Sequence, residues 1–267
     1  MLKHLAQSER YGKVCPASRL EVRPRPEMLS SGIAELDAIS GGIPCGCLTV
    51  LWGGASSGKT SALLATLARN TQDQGTCVLI DASDSFDPKS AHAAGVNLGR
   101  LLWVRCGGKR SSAEPNAPKV ANRERRTTND QRRFSVRRTT DDRRPSAAEF
   151  RLEQVLKSTD LILQSGGFGL VALDLAGIPE KYVRRIPLAS WFRFQRAVEH
   201  TRTALLVISE FPCAQTCAAL AVQLSVSSGQ WAVTDTQLPT HVELLQEMRI
   251  EAEIMRSRLE RKPMQSV

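Results

Sequence analysis

The sequence lacks the long apolar runs and the cysteine patterns that mark several large classes of protein. Its 267 residues contain no uninterrupted apolar run of about 18 residues, the length that a membrane-spanning helix requires. The first thirteen residues are polar and lack the apolar centre of a secretory signal peptide. We therefore expect a cytoplasmic protein without membrane contact. The seven cysteines include no CxxC pair, so we favour inert, reduced thiols over a zinc site formed by Cys45, Cys47, Cys213 and Cys217.

The positive charge of the chain is concentrated in two segments. The formal net charge is +9, from 36 Lys and Arg against 27 Asp and Glu. Residues 1–27 carry six basic and three acidic side chains, and residues 107–150 carry twelve basic and six acidic ones. The remainder of the chain is therefore neutral, and the net charge describes these two segments rather than the predicted core.

The composition divides the chain into five parts. Residues 107–150 contain doubled arginines and almost no aliphatic side chain, so they cannot bury enough apolar surface to offset the loss of chain entropy. We predict a disordered, Arg-rich insertion there, which separates core residues 28–106 from core residues 151–239. Residues 1–27 are predicted to form an N-terminal tether with a candidate oligomerisation helix, and residues 240–267 a C-terminal helix.

The core alternates between apolar strands and amphipathic helices. Such alternation predicts an α/β fold with a mainly parallel central sheet that helices cover on both faces. The C-terminal part adds a predicted β-hairpin from residues 220–226 and 230–234. The helix that follows is predicted from the spacing of Val242, Leu245, Ile250 and Ile254.

A phosphate-loop pattern, GxxxxGK[ST], lies between the first apolar strand of the core and a helix. In this pattern the glycines let backbone N–H groups surround phosphate oxygens, the lysine reaches the outer phosphates, and the hydroxyl residue binds Mg²⁺. A Gly/Ser-rich turn with a chance lysine is the alternative, but the flanking strand and helix favour phosphate binding. The predicted nucleotide-binding residues are Gly53, Gly54, Ala55, Ser56, Ser57, Gly58, Lys59 and Thr60, with ATP and Mg²⁺ as the cofactors.

A carboxylate for the metal is expected at the end of a neighbouring strand. Asp174 directly follows the apolar residues 170–173, which is where such a residue would hold Mg²⁺ together with Thr60. A helix or turn cap is the alternative role for Asp174.

The residues around the phosphate loop resemble those of bacterial RecA recombinases. The resemblance begins with Leu29-Ser30-Ser31-Gly32 and Gly41-Gly42-Ile43-Pro44, and continues through Leu79-Ile80-Asp81-Ala82 and Phe86-Asp87-Pro88. It covers residues 29–106 well and residues 168–235 more loosely, and it implies a RecA-like P-loop NTPase core. Residues 185–193 are closer to ImuA, a RecA-like protein encoded beside a translesion polymerase in DNA-damage-inducible operons.

The departures from the RecA pattern concern catalysis. The resemblance implies that Asp87 contacts adenine, whereas Ser83 stands where the family has its water-activating glutamate and Ser90 where it has an adenine-stacking tyrosine. Asp84, next in the chain, and Glu210, at the place of the family's polar sensor, remain the candidates for a catalytic residue. We expect weak ATP hydrolysis, because loss of a general base costs about 10²–10⁴-fold in rate. The activity would be at most that of a DNA-dependent ATPase.

The two DNA-binding loops of the family fall near residues 177–187 and 211–219. The second is short and lacks a glycine-rich stretch. The first contains Lys181, Arg184 and Arg185, which either contact DNA phosphates or belong to a solvated loop. The basic residues of the insertion could add DNA binding without sequence preference, or they form a solvated linker.

Three functions are consistent with these residues. The first is a RecA-like ATP-binding protein of DNA repair and the SOS response, an accessory or adaptor that binds ATP·Mg²⁺ and single-stranded DNA. Its partners would be a translesion polymerase, a RecA-like protein or further copies of itself. The alternatives are a true recombinase that promotes homologous recombination, and a nucleotide-free protein-interaction scaffold. The complete phosphate loop favours the first two functions over the third.

Overall fold

The described part of the chain forms a seven-stranded sheet with helices on both faces. The structure is a computed structural model that describes residues 25–106, 146–229 and 248–259. A small antiparallel pair, β1 (Met28–Leu29) with β2 (Ile43–Pro44), precedes the main sheet. The strands of the main sheet are β3 (Leu48–Trp52), β4 (Cys77–Asp81), β5 (Leu101–Arg105), β6 (Leu170–Asp174), β7 (Ala204–Ser209), β8 (Leu220–Gly229) and β9 (Met248–Ser257).

The strand order is β5-β4-β6-β7-β3-β8-β9, and every neighbouring pair is parallel except β8 with β9, which is antiparallel. The carboxyl ends of β3, β4, β6 and β7 therefore meet at one edge of the sheet. The loops that leave this edge are the phosphate loop after β3 and the segments that follow Asp81, Asp174 and Ser209. This edge is where ligands bind in open parallel sheets.

Helices bury both faces of the sheet. The helices are α1 (Ala34–Ser40), α2 (Lys59–Gln72), α3 (Pro88–Ala93), α4 (Ala147–Ser165), α5 (Glu180–Val183) and α6 (Leu188–Val198). One apolar cluster lies under α4 and α6 and includes Trp191 and Phe194, whose rings meet edge to face at 6.0 Å. A second cluster lies under α1, α2 and α3. The central strands are continuously apolar because both of their faces are covered.

The predicted α/β core with a mainly parallel sheet is confirmed. Helix α4 begins at Ala147, with a capping box between Ser146 and Glu149, so the last four residues of the predicted insertion are helical. Residues 107–145 of that insertion and residues 1–24 of the predicted tether lie outside the described residues.

The prediction of a C-terminal helix over residues 240–267 is wrong where the structure describes it. Residues 248–257 form strand β9, which pairs with β8. Ile250 and Ile254 are four residues apart, and a spacing of four places side chains on one face of a helix and also on one face of a strand. Both side chains pack with the second cluster, whereas the side chain of Met255, the next residue, is exposed. This alternation of buried and exposed side chains is typical of a strand. The other half of the predicted hairpin, residues 230–234, lies outside the described residues.

The cysteines of the described segments are unpaired thiols. Burial raises the pKa of Cys45 and of Cys213 to about 11, and that of Cys77 to about 12. Within residues 25–106, 146–229 and 248–259, no cluster of three or more His, Cys, Asp or Glu residues is arranged to hold a metal ion. No helix in these ranges is long and apolar enough to cross a membrane.

Candidate nucleotide-binding site

The phosphate loop joins the buried strand β3 to helix α2, as its pattern predicts. Gly53 follows the last residue of β3, and its N–H donates a hydrogen bond of 3.3 Å to the carbonyl oxygen of Ser209 on β7. Gly58 is the N-cap of α2 with φ of +80°, a left-handed conformation that favours glycine. The backbone N–H groups at the start of α2 therefore face the carboxyl edge of the sheet, where a helix N-terminus attracts phosphate.

The loop is held closely against the two C-terminal strands. A Cβ atom on Gly53 would lie 2.4 Å from the carbonyl oxygen of Leu224 on β8. A Cβ atom on Gly58 would lie 2.9 Å from Cγ1 of Ile250 on β9. Around Gly54, in contrast, a Cβ atom would meet nothing within 4 Å. The loop is thus tightly packed on the protein side and open at Gly54, which fits a cradle for an anionic group.

Lys59 lies inside this cradle. Its side chain is buried, with 8% of the residue exposed, and its Nζ donates to the carbonyl oxygens of Gly53, at 2.6 Å, and Gly54. A third contact of 3.3 Å joins Nζ to the hydroxyl of Ser57. Burial lowers the pKa of Lys59, and the negative charges of Glu210 and Asp174 oppose this effect. The ammonium is therefore desolvated and positioned at the loop, where a phosphate oxygen would be a stronger partner than the two carbonyls.

Asp174 ends strand β6, in register with Asp81 at the end of β4. Its Oδ1 accepts a hydrogen bond of 2.9 Å from the N–H of Ala176. Burial raises the pKa of Asp174 to about 6, and the charge of Asp81 adds to the increase while that of Lys59 opposes it. Thr60 is exposed in the first turn of α2. A carboxylate and a hydroxyl at the same edge of the sheet are oxygen ligands suited to Mg²⁺, so the predicted metal residues fit that ion.

Asp81 organises the neighbouring loop, a role that the sequence analysis missed. Its buried carboxylate accepts hydrogen bonds from the N–H groups of Ser83, Asp84, Ser85 and Phe86 at 3.1, 2.8, 3.3 and 2.9 Å. The indole N–H of Trp103 adds a longer contact of 3.4 Å. The Asp-Ala-Ser-Asp-Ser sequence after an apolar strand was the available signal, because an aspartate often accepts hydrogen bonds from the N–H groups that follow it.

The same loop directs Asp84 away from the phosphate loop. The Asp84 carboxylate forms two hydrogen bonds with the guanidinium of Arg105 on the edge strand β5, at 2.6 and 2.8 Å. This hydrogen-bonded pair holds the pKa of Asp84 below its ordinary value. Ser83 faces the other way, because a Cβ atom on Gly177, just beyond β6, would lie 3.3 Å from its Cβ. A paired carboxylate of low pKa is a poor base, and Ser83 supplies only a hydroxyl.

Asp87 caps helix α3. Its carboxylate accepts hydrogen bonds from the N–H groups of Lys89 and Ser90, at 3.2 and 3.0 Å, and from the Ser90 hydroxyl at 2.6 Å. These hydrogen bonds lower the pKa of Asp87. The capping role accounts for this residue without a ligand, so an adenine contact by Asp87 stays a prediction.

Glu210 directly follows β7 and stands beside the phosphate loop. The residue is exposed, and its charge acts on the pKa of Lys59. The next residue, Phe211, has its carbonyl oxygen hydrogen-bonded by the Ser209 hydroxyl at 2.6 Å. Its ring lies 5.3 Å from the guanidinium carbon of Arg184. The segment after β7 is thus adjacent to the phosphate loop on one side and to α5 on the other.

The structure brings the two predicted DNA-binding loops together through this Arg184–Phe211 contact. The three basic residues of the first loop also make contacts within the chain. Lys181 lies 4.9 Å from the ring of Tyr182, Arg184 donates to Glu180 at 2.6 Å, and Arg185 is 3.7 Å from Glu149. The side chains of Arg184 and Arg185 are 67% and 71% exposed. Both remain accessible to an anionic partner.

Comparison with known proteins agrees with the site. The RecA N-terminal domain family matches residues 6–109. The chain is 40% identical over 92 residues to "Protein RecA" of Deinococcus radiodurans, which is 34% of this chain and 24% of that protein. It is 38% identical over 105 residues to "Protein RecA" of Rickettsia prowazekii, or 37% of this chain and 30% of that protein. The chain therefore matches less than a third of the length of these curated relatives.

The family match covers the phosphate loop and the strands β3, β4 and β5. The described fold is an α/β RecA-like core, with the phosphate loop at the carboxyl edge of its parallel sheet. Together, the family match and the partial identities relate this chain to the RecA family.

Proposed function

We propose that this chain is a RecA-like ATP-binding protein of DNA repair that acts as an accessory or adaptor in the DNA-damage (SOS) response. The observation that carries the proposal is a phosphate-loop sequence around a buried lysine, beside a loop in which Asp84 is already paired with an arginine. Lys59 is buried at the carbonyl oxygens of Gly53 and Gly54, whereas Asp84 is held by Arg105. Binding would therefore be retained and hydrolysis would be slow.

The binding half of the proposal rests on three side chains. Residues 53–58 would surround the phosphates with backbone N–H groups, and Lys59 would neutralise their outer charge. Thr60 and Asp174 would hold Mg²⁺, which supplies charge neutralisation between the phosphates when it is bound. The raised pKa of Asp174 supports this role, because a buried carboxylate that is costly to ionise would be stabilised by a bound cation.

The adaptor half rests on Ser83 and Asp84. Neither a serine hydroxyl nor a carboxylate that is already paired with an arginine removes a proton from water efficiently at neutral pH. Nucleotide binding would then order the segments after β6 and β7 and prepare a surface for a partner. A translesion polymerase, a RecA-like protein and a second copy of this chain are the partners that fit this function.

Single-stranded DNA is the proposed nucleic-acid ligand. Arg184 and Arg185 are exposed at the same edge of the sheet as the nucleotide site, and Lys181 lies on the short helix α5 that precedes them. Basic side chains of this kind contact phosphates without reading bases. A true recombinase is the second candidate, favoured by the partial identity to RecA proteins. It requires fast, DNA-dependent hydrolysis, which Ser83 and Asp84 do not favour.

Thermal unfolding with ATP·Mg²⁺ tests the binding half. Ligand at about 100 times its dissociation constant stabilises a protein by about 2.7 kcal/mol, which raises its Tm by several degrees. We expect this increase in the wild type and its loss in Lys59→Ala. The matched control is Lys89→Ala, which removes an exposed lysine from α3. An unchanged Tm of the wild type at millimolar ATP·Mg²⁺ would favour the nucleotide-free scaffold.

Steady-state turnover tests the adaptor half. ATP hydrolysis is measured with and without single-stranded DNA, using Lys59→Ala to subtract contaminating activity. Slow turnover in both conditions supports the adaptor. Stimulation by DNA to rates of about 0.1 s⁻¹ or more would instead support the recombinase, since typical enzymes operate at 1–10³ s⁻¹ and a missing base removes orders of magnitude.

A further inference from the structure

Glu210 is an exposed acidic residue at the rim of the phosphate cradle. It directly follows Ser209, which is paired in register with Trp52, the residue that precedes Gly53. The carbonyl oxygen of Ser209 also accepts the hydrogen bond of 3.3 Å from the Gly53 N–H. Glu210 is therefore fixed by the sheet next to the first glycine of the loop.

Glu210 is linked to the head group of Lys59 through Gly53. The Nζ of Lys59 donates a hydrogen bond of 2.6 Å to the carbonyl oxygen of Gly53. The N–H of the same glycine donates to the carbonyl oxygen of Ser209, the residue directly before Glu210. The rim of the cradle therefore carries an exposed acidic residue next to the glycine that holds its buried lysine.

The negative charge of Glu210 should affect the binding of the inner and of the outermost phosphate groups of a nucleotide differently. In a phosphate loop the backbone N–H groups surround the inner phosphates, and the lysine extends to the outermost ones. Because the Nζ of Lys59 lies at the carbonyl oxygen of Gly53, an outermost phosphate that this lysine reaches would lie at the rim near Gly53 and Glu210. Like charges in such a partly desolvated site repel more strongly than in water.

We propose that Glu210 makes this site select a nucleoside diphosphate over the corresponding triphosphate. The inference rests on the proposed nucleotide binding and specifies which nucleotide state the cradle prefers. Glu210 reduces the affinity for the third phosphate and leaves the affinity for the inner two nearly unchanged. The protein would then respond to the ratio of diphosphate to triphosphate rather than to turnover of the triphosphate.

The experiment compares the affinities of ADP·Mg²⁺ and of a non-hydrolysable ATP analogue with Mg²⁺ by calorimetry. For the wild type we expect ADP to bind about tenfold more tightly than the analogue, since an exposed carboxylate that is largely screened by water repels a nearby charge only weakly. In Glu210→Gln and Glu210→Ala the analogue should bind about tenfold more tightly than in the wild type, with ADP changed by less than about twofold. Agreement between these two variants would assign the effect to charge rather than to a new hydrogen bond of the amide.

Glu153→Gln is the matched control, since it removes the same charge from an exposed position on α4 that pairs with Lys157. It should leave both affinities unchanged. Equal affinities for the two nucleotides in the wild type, or a parallel change of both in Glu210→Gln, would overturn the inference and leave the proposed function intact. Failure of both nucleotides to bind the wild type and Glu210→Gln would overturn the inference together with the proposed function.

Discussion

The carboxylate of Asp84 and the guanidinium of Arg105 face each other across the first loop after β4, with two N–H···O bonds of 2.6 and 2.8 Å. Arg105 in turn lies 4.8 Å from the centre of the Trp103 ring. Asp84 adopts a left-handed conformation with φ of +60°, which turns its side chain toward β5. The loop that contains Ser83 and Asp84 is thus anchored to the edge of the sheet.

This pairing predicts a stability difference that depends on pH. The pKa of Asp84 is depressed in the folded protein, so the pair stabilises the fold above the ordinary pKa of about 4 and stops doing so as the pH falls through the folded value. Asp84→Asn should lower Tm at pH 7 by about 1–3 °C, in keeping with an exposed ion pair. The difference between variant and wild type should close as the pH is lowered from about 5 to 3. A difference in Tm that does not change with pH would show that Asp84→Asn destabilises the protein through lost packing rather than through lost charge.

A glutamate in place of Ser83 should raise the rate of ATP hydrolysis, if the resemblance to RecA proteins assigns the base to this position. Ser83 faces Gly177, just beyond the strand that ends in Asp174, so a longer acidic side chain at this position extends toward the metal residues. We expect Ser83→Glu to raise ATP turnover by about 10–100-fold, the lower part of the range for a general base. Ser83→Gln has the same shape without the basic group and should leave turnover unchanged. Equal rates in both variants would place the base elsewhere.

Gly58 should tolerate no side chain. Alanine at this position has an unfavourable positive φ, which costs about 1–2 kcal/mol, and its Cβ would lie 2.9 Å from Ile250. Gly58→Ala should therefore lower the free energy of unfolding by more than the cost of the unfavourable φ alone. In a urea unfolding cycle with Ile250→Ala, the double variant should be more stable than the sum of the two single changes predicts, because the clash is removed. Additive effects of the two substitutions on the free energy of unfolding would show that β9 shifts to make room for the new Cβ atom.

Replacing Asp174 with asparagine should stabilise the protein without ligand and weaken its binding of ATP·Mg²⁺. Burial raises its pKa to about 6, so its ionised form costs free energy in the nucleotide-free protein at neutral pH. Asp174→Asn, measured in a chelator, should raise the free energy of unfolding by roughly 1–2 kcal/mol. The same variant should lose the part of the ATP-induced increase in Tm that depends on Mg²⁺. Asp73→Asn, an exposed change at the end of α2, serves as the control.

Local patterns predicted the phosphate loop and the strands around it. The spacing of Gly53, Gly58 and Lys59 occurs between an apolar strand and a helix, and each of these signals is contained in a few consecutive residues. The buried strands are continuous apolar runs, which is how a parallel sheet covered on both faces is recognised. The site could therefore be located before its geometry was known.

The remaining features depend on partners that are distant in the sequence. Nothing near Asp84 indicates that Arg105, 21 residues later, takes up its carboxylate. Strand β9 was predicted as a helix because the spacing of Ile250 and Ile254 satisfies both periodicities, and only the pairing with β8 decides between them. Asp81 belongs to the stretch that resembles RecA proteins, yet its role as an acceptor for four backbone N–H groups is a property of the folded loop.

The contact between Gly58 and Ile250 has a consequence for the order in which the protein matures during synthesis. The loop residues 53–60 leave the ribosome early, but the side chain that packs against Gly58 is translated almost two hundred residues later. A nascent chain that ends at residue 229 contains the phosphate-loop sequence and strand β8, but it lacks the strand that supports the loop. We therefore expect nucleotide to stabilise the chain only after β9 has been synthesised. Nucleotide binding would then indicate that the core is complete.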